Sequence, residues 1–487
     1  MSKAKILATL GPASRDLAVI ENLIHAGADG VRINMSHGTQ EEKTEDIRRA
    51  RAAARNLNRP LSVLVDLSGP KIRTRQLKDG QPVALKGGDL FVLTTQDIVG
   101  DEKRVATNYP DLAHVVEPGT KLLLDDGAIA LVVESTTKTD VICRVINGGV
   151  LGERKGINLP GVPLPIDSLT AKDLVDLKWA VEQKVDYIAL SFVRRAEDCS
   201  RAKDLIREAG GHAPLVAKIE MAEAIDHLDE IIATADAVMV ARGDLGVETS
   251  VELVPVYQKR IIQKALQAGK MVITATQMLQ SMVTSPRPTR AEASDVANAV
   301  WDGTDALMLS NETASGLYPV AAVETMCRII ESAEAGKEPA ADQIAKWAGQ
   351  QSGRVSRALC EAAAFAAEEM GTKVTAVLTE SGLMARRLSA LRPDQRIIAL
   401  TNSQEVQNEL ALIWGVESLI VPHADTTEEM LKVGEKTLLE SGAVEKGEMI
   451  VVMAGRLSGL GLSSSVTLFT VGGTLGAAGS EVVQSHR

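Results

Sequence analysis

LVAKIEMAEAI, residues 215–225, opens as a buried β-strand and closes on charge. Leu215, Val216 and Ala217 are apolar, yet Lys218 and Glu220 follow two positions apart, and strand alternation puts both side chains on one face. Seven other short runs are built alike: KILATL (5–10), GVRINMS (30–36), LSVLVDL (61–67), YIALSFV (187–193), AVMVARGD (237–244), MVITATQ (271–277) and ALMLSNE (306–312). Segments of helical composition separate most of them, among them AVIENLIHAGA, TEDIRRARAAARNL and VYQKRIIQKALQAG. Strands alternating with helices in this number predict an α/β fold with a (β/α)8 TIM barrel. A doubly wound open sheet is the competitor, but eight strands with similar crossovers favour closure.

The rhythm breaks once. Between the third and fourth strands, residues 74–163 read as β-rich, with Asp79-Gly80 and Asp126-Gly127 as turn signals beside runs such as KLLLD and AIALVVEST. This predicts a small β-barrel lid domain inserted in a βα loop, at the end of a barrel where catalytic residues lie. The barrel domain then comprises residues 1–73 and 164–335. A charged connection, EAGKEPAADQ, leads to a C-terminal α/β domain over 350–487, with strands KVTAVLT, RIIALT, SLIVP, EMIVVMAG and LFTVGG.

The 487 residues exceed one ordinary core, in keeping with several domains. No apolar run approaches the roughly 20 residues of a membrane span, and MSKAKILATLGPAS lacks the apolar segment of a signal peptide, so a cytoplasmic location is expected. Cys143, Cys199, Cys327 and Cys360 are far apart in sequence and are expected to be reduced and structural. A net charge of −11 disfavours general nucleic-acid binding but leaves room for a local basic pocket that takes a small anion.

Polar residues gather at the predicted strand ends. Arg32, Asn34 and Ser36 alternate on the second strand, and Asp66 closes the third. Lys218 and Glu220 close the fifth, Arg242 and Asp244 the sixth, Thr276 the seventh, and Ser310 and Glu312 the eighth. Structural ion pairs would account for one such pair but not for so many at one rim, since packed apolar groups often serve stability as well or better. Glu220 and Asp244 are hard oxygen donors without histidine or cysteine, a set suited to Mg²⁺ or Mn²⁺. Arg32, Arg73 and Lys218 suit phosphate and carboxylate, and Gly243 lets backbone N–H approach an anion. Thr276 and Ser310 supply hydroxyls able to place a water or relay a proton. The set points to an anionic, phosphorylated small substrate.

The segments ATLGPAS, VRINMSHG, DLSGPKIRT, GERKGINLPG, AKIE, VMVARGDLGVE, ITATQMLQSM and SPRPTRAEASDVANAVWDGTDALMLSNETASG, in this order, resemble the pyruvate kinase family across the whole barrel. The resemblance implies transfer of the phosphoryl group of phosphoenolpyruvate to ADP, a Mg²⁺ or Mn²⁺ cofactor, and a homotetramer. By motif, Arg32 would bind the phosphoryl group, and Lys218 would stabilise it and the developing enolate. Glu220 and Asp244 would hold the metal. Gly243, Asp244 and Thr276 would hold the substrate carboxylate, with Thr276 and Ser310 supporting the water that protonates the enolate. Asn34, His37, Arg73 and Lys155 map to nucleotide contacts.

The chain departs from the family pattern at several places. Lys71 stands where many members carry glutamate beside a K⁺ site matching Asn34, Ser36, Asp66 and the carbonyl of Leu67. Within the family this lysine goes with K⁺ independence, so K⁺ is expected to be dispensable. Asn311 replaces a usual glycine and Met35 a usual phenylalanine. In the C-terminal region Thr379, Ser381 and Gly382 form a candidate site for a phosphorylated effector at a helix start. There, however, Leu383-Met384 replaces a frequent arginine-serine pair, and AGRLSGLGLSSS matches only partly. A Mg²⁺-dependent barrel lyase or aldolase acting through a pyruvate enolate would leave the lid, Arg73 and Lys155 unexplained. A catalytically dead ligand-sensing paralogue predicts damage at Lys218, Glu220, Asp244 or Thr276, all of which are intact.

Overall fold

In the computed structural model the described residues are 2–162, 164–336, 354–424, 426–454 and 465–473. Eight parallel strands form a closed barrel: β1 (Lys5–Thr9), β2 (Gly30–Asn34), β3 (Ser62–Asp66), β4 (Tyr187–Leu190), β5 (Leu215–Ile219), β6 (Ala237–Ala241), β7 (Met271–Ala275) and β8 (Ala306–Leu309). β1 pairs with β8 from Lys5 opposite Ala306 to Ala8 opposite Leu309, which closes the ring and excludes the open sheet. Helices cover the outer face, so the strands are apolar on both sides and read as near-continuous hydrophobic runs. Several of these helices start where the sequence supplies caps. Thr39, Thr170 and Thr289 each accept an amide three residues on, while Glu42, Asp173 and Glu292 reach back to the cap N–H.

All eight strands stop earlier than their sequence runs suggest, and at β2, β6, β7 and β8 this moves rim residues into turns or helix starts. Ser36 lies beyond β2, in a turn where its N–H donates to Asn34 Oδ1 at 3.0 Å, so it does not continue an alternating face. Arg242, Gly243 and Asp244 begin the helix Arg242–Glu248 instead of closing β6. Ser310 caps the short helix Asn311–Ala314, and Glu312 lies inside it. Thr276 follows β7 with φ +71°. The barrel's exit rim needs sharp turns, and residues just past the last ladder hydrogen bond point inward through turn and helix geometry, not strand alternation.

The insertion carries a six-stranded sheet, mostly antiparallel, that runs in chain from Leu90–Thr94 to Ile157–Asn158, and a small ribbon of Val83–Leu85 with Gly149–Leu151. Phe91, Leu122, Leu131 and Val141 fill its own core. The C-terminal region is a five-stranded sheet with Val374–Leu378 central among parallel neighbours and Ser465–Thr470 antiparallel at one edge. It packs on the barrel floor, the entry ends of the strands. Lys5 Nζ donates to Val416 O (3.1 Å), Tyr187 OH to Glu409 O (2.7 Å), and Arg392 pairs with Asp305 (3.1 Å). Leu7, Leu64 and Val216 of the barrel share one apolar cluster with Leu412 and Ile413. Among the described residues no helix is long and apolar enough to cross a membrane.

Candidate active site at the barrel rim

The charges singled out in the sequence converge at the exit end of the barrel. Lys218 Nζ lies 3.3 Å from Asp66 Oδ1 and 3.3 Å from Glu220 Oε2, and donates to Ser191 Oγ at 2.6 Å. Arg32 grips Asp66 Oδ2 through Nε and Nη2, each at 2.7 Å. Asp66 and Glu220 are fully buried. Burial pushes the Glu220 carboxyl up to about 7 despite the opposing Lys218 charge, and Asp244 adds to the rise. For Lys218, burial works against the ammonium, but Asp66 and Glu220 outweigh it and hold the group above its ordinary value. In Asp66 the same balance ends below the usual carboxylate range: burial raises it, Lys218 and Arg32 more than compensate.

The donors fit a hard divalent cation. Glu220 spends Oε1 on the Phe192 N–H (2.6 Å), while Oε2 is buried and has no hydrogen-bond partner, the Lys218 ammonium being close but badly angled. Asp244, partly exposed, reaches the same space and takes Lys71 Nζ at 3.0 Å on Oδ1 only. Among the described residues no group of three or more His, Cys, Asp or Glu side chains is placed to hold a metal ion. Two carboxylates with room for substrate and water oxygens are what Mg²⁺ ordinarily takes.

Thr276 stands beside this pair in a left-handed conformation, costly for a β-branched residue. Its hydroxyl accepts from Gly243 N–H (2.8 Å) and donates to Ala275 O (2.6 Å). Arg242, placed at the rim by its sequence position, turns away from it. Its guanidinium donates to Thr276 O (2.7 Å) and Ala275 O (3.2 Å) and pairs with Asp295 (2.8 Å), so it clamps the strained turn. Ser310 Oγ is buried without a partner, free to hold a water or substrate oxygen. Glu312 is also structural: it accepts from Ser310 N (2.7 Å) and Leu279 N (3.1 Å) and ties two rim loops together.

Partial burial, then the charges of Arg73, Lys43 and Arg32, hold His37 below the usual histidine range, which places it in a cationic neighbourhood. Arg73 Nη1 donates to Arg154 O (3.2 Å), and Lys155 pairs with Asp125 of the lid (2.9 Å). Lys71 spans both domains, reaching Asp244 on the barrel and Asp126 on the lid (3.7 Å). Its ammonium therefore sits with the divalent-site carboxylate, and no contact joins it to Asn34, Ser36 or Asp66. Asn34 and Leu67 have protein partners: Asn34 Oδ1 takes the Ser36 N–H, and Leu67 O takes the Ser191 hydroxyl at 2.7 Å.

Residues 1–323 match the family model for the pyruvate kinase barrel domain, and residues 357–466 match that for the pyruvate kinase alpha/beta domain. The chain belongs to the pyruvate kinase family. The pyruvate kinase of Geobacillus stearothermophilus is 42% identical over 456 residues, spanning 93% of this chain and 77% of the relative. Pyruvate kinase 2 of Synechocystis is 43% identical over 468 residues, 95% and 78% of the two chains. A crystal structure of a pyruvate kinase from Cryptosporidium parvum superposes with a TM-score of 0.89 at 33% identity, covering 96% of each chain. Pyruvate kinases are phosphotransferases that use a divalent metal, and this fold has the family's closed barrel and C-terminal α/β domain.

Ser191 went unassigned in the sequence, although it links Lys218 to the Leu67 carbonyl. The rule that singled out the other strand ends, a polar residue just after an apolar run, applies to it equally. Asp126 enters the sequence reading only as part of a turn signal and Asp125 only as the end of the KLLLD run; both adopt φ +52° at a hairpin tip and point their carboxylates at Lys71 and Lys155 respectively. In the C-terminal domain Thr379 Oγ1 accepts the Gly382 N–H (2.9 Å) and is buried, while Ser381 is exposed. The glycine-rich loop at 455–464 lies outside the described residues.

Proposed function

We propose that the rim carries out phosphoryl transfer from phosphoenolpyruvate to ADP, with each side chain in the role its surroundings allow. The observation that carries this is the buried Lys218 ammonium, set within 3.3 Å of both Asp66 and Glu220. Arg32, oriented by Asp66, presents its remaining N–H groups to the phosphoryl oxygens. Lys218 offers hydrogens to the bridging and enolate oxygens, where negative charge builds as the P–O bond breaks. Glu220 and Asp244 would hold the divalent ion, which supplies Lewis acidity to carboxylate, enolate and phosphoryl oxygens when bound. Gly243, Asp244 and Thr276 form the seat for the substrate carboxylate, and binding there exchanges the Gly243–Thr276 hydrogen bond for one to the ligand. Thr276 and Ser310 hold the water that delivers a proton to the enolate carbon. Asn34, His37, Arg73 and Lys155 face the nucleotide. A coupled assay for pyruvate from phosphoenolpyruvate and ADP, run with and without Mg²⁺, tests the assignment; no metal-dependent pyruvate would overturn it.

The reaction is further proposed to be independent of K⁺. Support comes from Lys71, a permanent cation tied to Asp244, and from the protein hydrogens already engaging Asn34 Oδ1, Asp66 and Leu67 O. Equal rates in K⁺ and tetramethylammonium buffers are expected, and a large drop without K⁺ would refute the assignment. At the candidate effector position of Thr379, Ser381 and Gly382, the Gly382 N–H that would face a phosphate is already bonded to Thr379 Oγ1. A cytoplasmic homotetramer is in keeping with the family; sedimentation velocity checks the assembly.

A further inference from the structure

A cavity of about 390 Å³ lies at the opposite end of the barrel from the rim, between the entry ends of β4 to β7 and the C-terminal helix Leu383–Ala390. Its wall holds Lys203, Arg207, Lys270, Arg386, Arg387 and His212, on a chain whose net charge is −11. Three of the five lysines and arginines are answered by carboxylates. Lys203 pairs with Asp236 (2.7 Å), Arg207 with Asp204 and Arg386 with Glu409. Asp236, the one carboxylate in the wall, is then spent, because its second oxygen takes the Leu215 N–H at 2.9 Å.

Two cations are left over. Lys270, just before β7, donates to the Ala235 carbonyl (2.6 Å) and has no carboxylate at ion-pair distance among the described residues. Arg387, half-buried on the facing helix, makes no hydrogen bond or ion pair among the described residues. They come from different domains and sense each other: burial first, with the charges of Lys203 and Arg387 adding to it, holds the Lys270 ammonium below its usual value against the pull of Asp236. Opposed like charges at a domain joint repel unless an anion sits between them.

We propose that this cavity binds a phosphate monoester of a small metabolite, the phosphate between Lys270 and Arg387 and the organic part against Tyr187 and Ile413. A dianion with three acceptor oxygens balances the charge of both leftover cations, where a carboxylate monoanion could bridge them but would leave one positive charge uncompensated. The volume falls in the range of small-molecule sites, about 300–1,000 Å³. Neither cation belongs to the rim, so the proposal stands apart from the assignment of the reaction.

Isothermal titration of the full chain with inorganic phosphate and with ribose 5-phosphate tests it, the first arm measuring the anion alone and the second the ester. The expected result is saturable binding of ribose 5-phosphate at one equivalent per chain, tighter than inorganic phosphate. Binding should weaken at least about tenfold in Arg387→Ala and in Lys270→Met. Arg387→Glu, which puts a carboxylate opposite Lys270, should abolish it without lowering Tm, and all three variants should keep wild-type kcat. Binding of the ester that is absent at millimolar concentration, or unchanged in all three variants, would overturn the proposal.

Discussion

Replacing Lys218 with methionine removes one ammonium and leaves its stem. In the folded chain that ammonium touches Asp66 Oδ1, Glu220 Oε2 and Ser191 Oγ and is 12% exposed. Breaking a buried ion pair usually costs about 3–5 kcal/mol, because the abandoned partner stays charged and dry. Here both partners keep other support. Asp66 retains two Arg32 contacts of 2.7 Å, and Glu220 retains the Phe192 N–H and, with a carboxyl already pushed up to about 7, can take a proton instead. The stability loss should therefore fall below that range, leaving a folded enzyme. Catalysis has no such fallback, since among the described residues no other ammonium pairs with both Asp66 and Glu220. Loss of one aimed charge stabiliser typically removes 10²–10³ in kcat, about 2.7–4 kcal/mol of transition-state stabilisation. Steady-state pyruvate formation with parallel thermal melts measures both quantities. A variant with kcat within tenfold of wild type and an unchanged Tm would refute the reasoning that Lys218 acts on the reacting oxygens.

Ser191→Ala deletes the hydroxyl joining Lys218 to Leu67 O; kcat should fall about tenfold with little change in Tm, the size expected when one positioning hydrogen bond is lost. Lys71→Met should lower activity in tetramethylammonium by at least about tenfold, with partial recovery in K⁺, as measured by rate in the two buffers. Burial pushes the Asp186 carboxyl up to about 6 in spite of Arg51 and the Val63 N–H. The folded chain thus keeps a proton that the unfolded chain loses near pH 4, and this group's contribution to stability is lost as pH rises from about 4 to 6. Relative to Asp186→Asn, wild type should lose up to about 3 kcal/mol across that window, read as a pH-dependent Tm difference. Cys143, Cys199 and Cys360 are pushed up to about 12 by burial, so a thiol reagent at pH 8 should modify them roughly a thousandfold more slowly than an ordinary thiol until the chain is unfolded.

The primary structure by itself determined the barrel, because strands buried on both faces must be apolar runs and their crossovers must be helical. It also determined which side chains crowd the rim. Lys218 and Glu220 meet as strand alternation predicts, with Glu220 directly after the last residue of β5. Arg32 and Asp66 meet because β2 and β3 pair with Asn34 opposite Asp66, a register that neighbouring strands impose. Tertiary structure alone decided what happens past the strand ends, where alternation no longer governs direction. Arg242 turns outward to brace Thr276, Lys71 crosses to Asp244 and the lid, and Ser191 enters the site from β4. It alone also decided that Lys270 and Arg387, 117 positions apart in the chain, face one cavity. Local periodicity fixes which face a residue takes on a regular element. Turns and domain joints are set by packing between distant segments, and no local pattern encodes them.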